Sequence, residues 1–228
     1  IIGYLTLLTD EKEIPENLQK KYMDIALKKS LRLEELTNQF FDITRYNLQS
    51  MPITKQNIDL VFLLEQLVEE SYPMLQEKKL ECILNKPKAI QFMGDGDKLA
   101  RAFGNLLKNA INYSYLNTTI KIDIKEYEDK IEIVFKNKGD KIPEYKLEKI
   151  FDKFYRADES RTSSTGGAGL GLAITKQIIE LHNGKIYAKN DNEFIEFYIE
   201  LSKWGKNEKE KIYYFNNNNM CTFDNMVF

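Results

Sequence analysis

The chain has 228 residues, enough for one full domain with a small companion or for two modest ones. Its 33 Lys+Arg stand against 35 Asp+Glu, a formal net charge of −2, with 43% hydrophobic and 30% charged residues. That is a globular balance, with no basic excess to drive nucleic-acid binding through phosphate contacts.

The longest apolar run, Leu60 to Val68, is broken by Glu65, so no segment is expected to span a bilayer. The sequence shows no secretory signal and does not begin with Met, which predicts a piece of something longer. Cys82 and Cys221 are too few and too far apart for a disulfide framework or a zinc site, so a reducing compartment is expected. The single histidine, His182, leaves little room for metal or triad chemistry built on imidazole.

Residues 1–51 read as a helical hairpin. A stub, Ile1 to Leu8, is followed by a break from Thr9 to Pro15 and a long helix from about Glu16 to Ser50. Along it Tyr22, Ala26, Leu33, Leu36, Phe40, Ile43 and Asn47 recur at three- and four-residue spacing, interrupted by Lys29. This is the pattern of a bundle seam, with the stub as hairpin partner; the plainer alternative is a helix packed on its own domain. Met51-Pro52 should end the helix, because proline disfavours helical backbone in the residue before it.

Residues 52–202 read as an α+β domain. A short strand at Lys55 to Asp59 leads into an amphipathic helix, Leu60 to Lys79, which Pro73 should kink or whose last turn it should start. Leu80 to Leu84 and Ile90 to Met93 are strand candidates, and Asp95 to Ser114 is a second helix. Thr119 to Tyr127 and Lys130 to Asn137 alternate apolar and polar residues around Glu128-Asp129, a hairpin. Gly169 to Leu181 is a third helix, and Lys185 to Lys189 with Phe194 to Leu201 form a last hairpin around Asn190 to Asn192. The expected architecture is about six strands and three helices, the helices on one face of a mixed sheet. Residues 203–228, with four consecutive asparagines at Asn216 to Asn219, are a polar tail without periodicity, expected to be disordered.

Three segments carry chemistry. At about 100° per residue, Asn105, Asn109 and Asn112 fall within roughly 60° of one another on the second helix, opposite Leu99, Phe103, Leu106, Leu107 and Ala110. A solvated polar face is one reading. Asparagine is a poor helix former, however, and its neutral oxygen suits Mg²⁺ already carrying phosphates. The second segment, Asn137 to Pro143, leaves a strand end: Asn137 offers one donor and one acceptor to a base edge, and Gly139 permits close approach. An ordinary strand exit is the alternative. The third runs from Phe151 through Arg156 and a small polar stretch to Gly166-Gly167-Ala168-Gly169-Leu170-Gly171. It has the form of a lid leading to glycines and a helix N-terminus that can face phosphate. It is not a P-loop, and without a strand immediately before it a Rossmann fingerprint is not expected.

In this order, the segments GDGDKLARAFGNLLKNAINYS, VFKNKGDKIP, IFDKFYR and TGGAGLGLAI resemble the N, G1, F and G2 boxes of the histidine-kinase catalytic domain. That ATP-binding α/β sandwich is shared with gyrase, Hsp90 and MutL, and the match is nearest the VanS type of two-component sensor from vancomycin-resistance systems. The resemblance implies ATP and Mg²⁺ as cofactors, with Asn109 as the Mg²⁺ ligand. It implies Asn105, Arg156 and Arg161 as catalytic residues at the phosphoryl group. Nucleotide contacts fall to Asn112, Tyr113, Asn137, Gly139, Ile142, Tyr155, Gly167, Ala168, Gly169, Leu170 and Gly171. Phe151 and Phe154 match the F box at the lid base. Two departures stand out: Asn112 sits where many members carry a phosphate-binding Lys, and the usual D-x-G-x-G of the G1 box reads Asn137-x-Gly139-x-Lys141.

The resemblance also makes residues 1–51 part of the dimerisation and histidine-phosphotransfer domain, with the phosphoacceptor His upstream of Ile1. It implies a response regulator as partner, a homodimer in the full-length protein, no nucleic acid, and membrane attachment only through an N-terminal sensor region. The chain itself would be the cytoplasmic portion. Two alternatives remain. One is an ATPase of the gyrase or Hsp90 kind, which needs a Glu where this chain has Asn105. The other is a non-catalytic dimerisation module with a relic nucleotide site. His182, in Leu181-His182-Asn183-Gly184, is expected to cap or pack a helix end, with Gly184 as the C-cap glycine.

Overall fold

Apolar residues at every second position, as in TIKIDIKE and FIEFYIELS, dictate strands with one buried face. In this computed structural model, residues 1–10, 14–47, 53–155 and 169–203 are described. Arg156, Arg161, Gly167, Ala168, the Met51-Pro52 boundary and the Asn-rich tail lie outside them. The chain divides into two compact units, Ile1–Met51 and Pro52–Phe228.

The first unit contains α1 (Ile2–Asp10) and α2 (Glu16–Asn47), packed on each other with the Tyr4 and Tyr22 rings 5.6 Å apart. Ala26 is buried, as the seam expects, but Leu33 is 57% exposed. Met23, Leu27 and Leu31, four residues apart, form an exposed apolar row that the seam reading did not include. The side chains of Leu36, Phe40, Ile43 and Asn47 lie outside the described residues.

The second unit opens with β1 (Gln56–Asp59), α3 (Leu60–Glu70) and α4 (Tyr72–Glu77). Asp59 caps α3 by accepting from the amides of Val61 and Phe62. The predicted single helix is therefore two, with Pro73 in the first turn of α4, where its missing N–H costs nothing. Next come β2 (Glu81–Asn85), β3 (Gln91–Gly94) and α5 (Gly96–Tyr113), then β4 (Thr119–Glu126) and β5 (Lys130–Lys138). Two short 3₁₀ turns, α6 (Gly171–Leu181), β6 (Lys185–Asp191) and β7 (Phe194–Ser202) complete it.

Five strands form a sheet in the order β2-β4-β5-β7-β6, parallel only between β2 and β4. The strand count corrects the expectation of six: β1 and β3 pair separately as an antiparallel ribbon. Across the sheet Ile122, Phe135, Phe197 and Ala188 are in register, all buried. Phe135 meets Phe103 of α5, and Phe197 meets Phe151 edge-on. The next row, Asp123, Val134, Tyr198 and Tyr187, is in register on the other face. There Tyr187 stacks on Tyr198 at 5.0 Å, and Lys136 pairs with Asp123 and Glu196.

At the end of α6 the residue with positive φ is Asn183, not Gly184. Gly184 is needed for another reason: a Cβ there would lie 2.6 Å from the Glu200 carbonyl and 2.8 Å from the Ile179 side chain. His182 is the C-cap residue and is 3% exposed, as the packing reading expects.

Candidate functional site

Helix α5 carries the site. Its N-cap, Asp95, accepts from the amides of Lys98 and Thr54 and pairs with the Lys98 ammonium. Burial alone would raise the Asp95 carboxyl, but these bonds outweigh it and hold the group below its ordinary 3.8. Behind the cap, His182 of α6 accepts the Asp95 N–H on Nε2 at 2.9 Å, while Nδ1 faces the Ile178 carbonyl at 2.7 Å. The only consistent state is a neutral ring with its proton on Nδ1. At the other end, Lys78 donates to the carbonyls of Ile111 and Asn112, the residues at the negative end of the helix.

One face of α5 is core: Leu99, Ala102, Phe103, Leu106, Leu107, Ala110 and Ile111 are all buried. Asn105, Asn109 and Asn112 are half-buried on the remaining face, as their spacing predicts. Asn105 donates from Nδ2 to the Gly171 carbonyl at 3.2 Å and approaches the Thr175 hydroxyl at 3.5 Å; Thr175 in turn donates to the same carbonyl at 2.9 Å. A carbonyl can only accept, so the amide of Asn105 has its nitrogen toward α6 and its oxygen free for the site. The Asn109 amide has no hydrogen-bond partner among the described residues, which leaves its oxygen available to a cation.

Near the last turn of α5 a second cluster forms. Gly139 lies so close to the helix end that a Cβ would sit 2.2 Å from the Tyr113 carbonyl and 3.4 Å from Asn137 Nδ2. Close approach was expected at Gly139, but what approaches is the protein's own backbone. Tyr115 braces the same loop, its N–H on the Lys138 carbonyl and its hydroxyl on Asp140 at 2.7 Å. Asn137 is 2% exposed, and its Nδ2 has no hydrogen-bond partner. A buried, unpaired amide is costly unless something completes it, so this atom fits a polar ligand edge.

From Asn105 to Tyr113 the helix advances about 12 Å, the length scale of a nucleotide with its phosphates. Asn137, Gly139 and Tyr113 gather toward one end, and Gly171 meets Asn105 at the other. Phe154 and Gly169 are joined by a hydrogen bond of 3.0 Å, so the segment between them begins and ends at one place. Gly169 has φ +72, and a Cβ there would strike Tyr155 O at 2.7 Å. Leu170 is buried just before α6, and no side chain caps that helix N-terminus. The two F-box residues part company: Phe151 is buried, whereas Phe154 is 64% exposed with φ 65.

Sequence reasoning missed Thr175 and Asn190. Asn190, assigned to a turn, is a paired residue of β6 opposite Ile195, and its amide bonds both backbone groups of Ile142. No short-range pattern marks Asn190, whose partner Ile142 is remote in sequence; Thr175 bonds a carbonyl four residues back, and only its approach to the distant Asn105 gives it a place in the site. Among the described residues no helix is long and apolar enough to cross a membrane, and no cluster of three or more His, Cys, Asp or Glu could hold a metal.

The Asn stripe runs along α5 from the Asn105–Gly171 contact toward Gly139 and the buried, unpaired Asn137 amide. Residues 94–204 match the histidine kinase-, DNA gyrase B- and HSP90-like ATPase family. The chain is similar to the sensor protein VanS of Enterococcus faecium, 48% identical over 88% of this chain and 52% of that protein. It thus spans about half the length of the curated relatives it matches. Among solved structures, the catalytic domain of histidine kinase ThkA aligns over 67% of this chain and 97% of that one, with 28% identity and TM-score 0.60. The Acinetobacter baumannii histidine kinase AdeS aligns over 88% of this chain and 92% of that one, at 20% identity and TM-score 0.72, a likeness of fold.

Proposed function

We propose that the chain is the ATP-binding catalytic portion of a two-component sensor histidine kinase, with residues 1–51 belonging to its dimerisation and phosphotransfer hairpin. The observation that carries the nucleotide reading is the free, buried Nδ2 of Asn137 beside Gly139, about a nucleotide's length along α5 from the Asn105–Gly171 contact. Similarity to VanS over most of the chain supports the kinase reading.

In this reading Asn137 and the Gly139 to Ile142 backbone read the base, with Tyr113 at the helix end. Asn109 offers its oxygen to Mg²⁺, and Asn112 lies on the same stripe. Asn105, fixed by α6, presents an oxygen at the phosphoryl end. The Gly169 to Gly171 backbone receives phosphate at the start of α6, and Gly167, Ala168 and Tyr155 are assigned nucleotide contacts by the family resemblance. Arg156 and Arg161 neutralise charge at the γ-position. Bound Mg-ATP supplies the phosphoryl group; the protein's part is positioning and electrostatic stabilisation.

The acceptor is a histidine outside this sequence. His182, the chain's one histidine, is buried with both ring nitrogens engaged. From that histidine the phosphoryl group passes to an Asp of a response regulator. An ATPase of the gyrase kind is disfavoured because Asn105 cannot take a proton from water.

Calorimetric titration of this chain with Mg²⁺ and a non-hydrolysable ATP analogue tests the site. Saturable binding that falls at least tenfold in Asn109→Ala only when Mg²⁺ is present is expected. No binding at millimolar nucleotide would favour a relic site.

A further inference from the structure

The loop that follows β5 is gripped by a strand that is not its neighbour. β7 separates β5 from β6 in the sheet. Yet Asn190 of β6 accepts the Ile142 N–H on Oδ1 at 3.2 Å and donates from Nδ2 to the Ile142 carbonyl at 2.7 Å. One side-chain amide thus satisfies both polar groups of one residue, as a paired strand would. The orientation is forced, because turning the amide over would set oxygen against carbonyl and N–H against N–H. The tip of the same hairpin makes a second contact: Glu193 pairs with the Lys138 ammonium at 2.5 Å, at the residue where the loop begins. That bond, with the charge of Lys138, holds the Glu193 carboxyl below its ordinary value. Between these two anchors lies Gly139, seated on the Tyr113 carbonyl beside the Asn137 amide.

We infer that the β6–β7 hairpin tip is a positioning element for the base end of the nucleotide site, with Asn190 setting the Ile142 backbone and Glu193 setting the start of the loop. The inference rests on the nucleotide reading above. Asn190 touches no ligand in this scheme; it acts through Ile142, so that the loop is ordered before the base arrives and binding does not bear that ordering cost.

Asn190→Asp is the discriminating change. It keeps the shape and the acceptor for the Ile142 N–H, but it faces the Ile142 carbonyl with an oxygen and no donor. Calorimetry on the present chain would compare two probes, ADP and inorganic tripolyphosphate, each with Mg²⁺. The expected result is a roughly tenfold rise in the ADP Kd, with tripolyphosphate affinity unchanged, because only the base end is disturbed. Asn190→Ser should fall between. Hydrogen exchange at the Ile142 amide should accelerate in Asn190→Ser, read independently of any ligand. An ADP Kd within twofold of the parent, equal weakening of both probes, or unchanged exchange at Ile142 would overturn the inference. Failure of the parent itself to bind ADP would instead remove the nucleotide reading, and the inference with it.

Discussion

The side chain of Asn105 and the carbonyl of Gly171, 66 positions apart in sequence, are joined by a hydrogen bond of 3.2 Å that ties the middle of α5 to the first residue of α6. Thr175, fully buried, sits between them and donates to the same carbonyl. Its hydroxyl is therefore part of what orients the Asn105 amide. Thr175→Val keeps the volume and removes the hydroxyl. It is expected to cost about 1 kcal/mol of stability and to lower the phosphoryl-transfer rate several-fold, with nucleotide affinity little changed. Thr175→Ser should restore the rate. Chemical denaturation of the three proteins, and single-turnover kinetics in their N-terminally lengthened forms, check this.

His182 makes stability pH-dependent in a defined direction. Burial pushes its imidazole below the ordinary 6.5; the Ile178 carbonyl and Asp95 favour the proton, and Lys55 and Lys98 oppose it, without reversing the shift. With the folded value below the unfolded one, the unfolded chain binds the proton first, so stability falls as pH drops through about 6.5. The loss continues down to the folded value, at no more than about 1.4 kcal/mol per pH unit, and vanishes above pH 7. Denaturation midpoints between pH 7.5 and 5.5 should show this slope, and His182→Gln should flatten it.

Two glycines near α5 should respond oppositely to alanine. Gly139→Ala drives a methyl into the Tyr113 carbonyl, where neither backbone can yield cheaply. A loss of about 1–3 kcal/mol is expected, together with weakened nucleotide binding. Gly104 lies inside α5, and its nearest neighbour to a Cβ is Leu67 Cδ2 at an ordinary 3.7 Å. Gly104→Ala should stabilise by about 0.5–1 kcal/mol. Melting curves of the pair separate a helix effect from a close-contact effect.

Asn137 tests the base end. An aspartate there would accept from an adenine amino group with charge assistance, and would replace the unpaired Nδ2 by an oxygen. Because the buried Nδ2 is the atom a ligand edge would complete, Asn137→Asp is expected to weaken ATP binding despite that gain, and to lose stability without nucleotide, since a buried carboxylate lacks a partner. Binding as tight as the parent's would mean that the site uses only the amide oxygen.

What the sequence revealed follows from the range of the forces involved. Alternation in β4, β5 and β7 declared the sheet because Ile122, Phe135 and Phe197 must share one face. The apolar stripe behind the three asparagines located α5 almost to the residue, since helical period is local. The separate β1–β3 ribbon was not legible, because its partners are joined only through long-range pairing. Gly139 and Gly184 were legible as glycines, but not the carbonyls of Tyr113 and Glu200 that demand them. Asn190 was read as a turn residue because a polar side chain near a strand end has no local sign of a remote backbone partner.

Phosphoryl transfer to histidine is tested most directly on the protein lengthened at its N-terminus to the span of its curated relatives, incubated with Mg²⁺ and γ-labelled ATP. Protein-bound label that is acid-labile and base-stable is expected, lost in Asn109→Ala and retained in His182→Gln. Release of free phosphate with no label on the protein would rule out histidine phosphorylation and point to an ATPase.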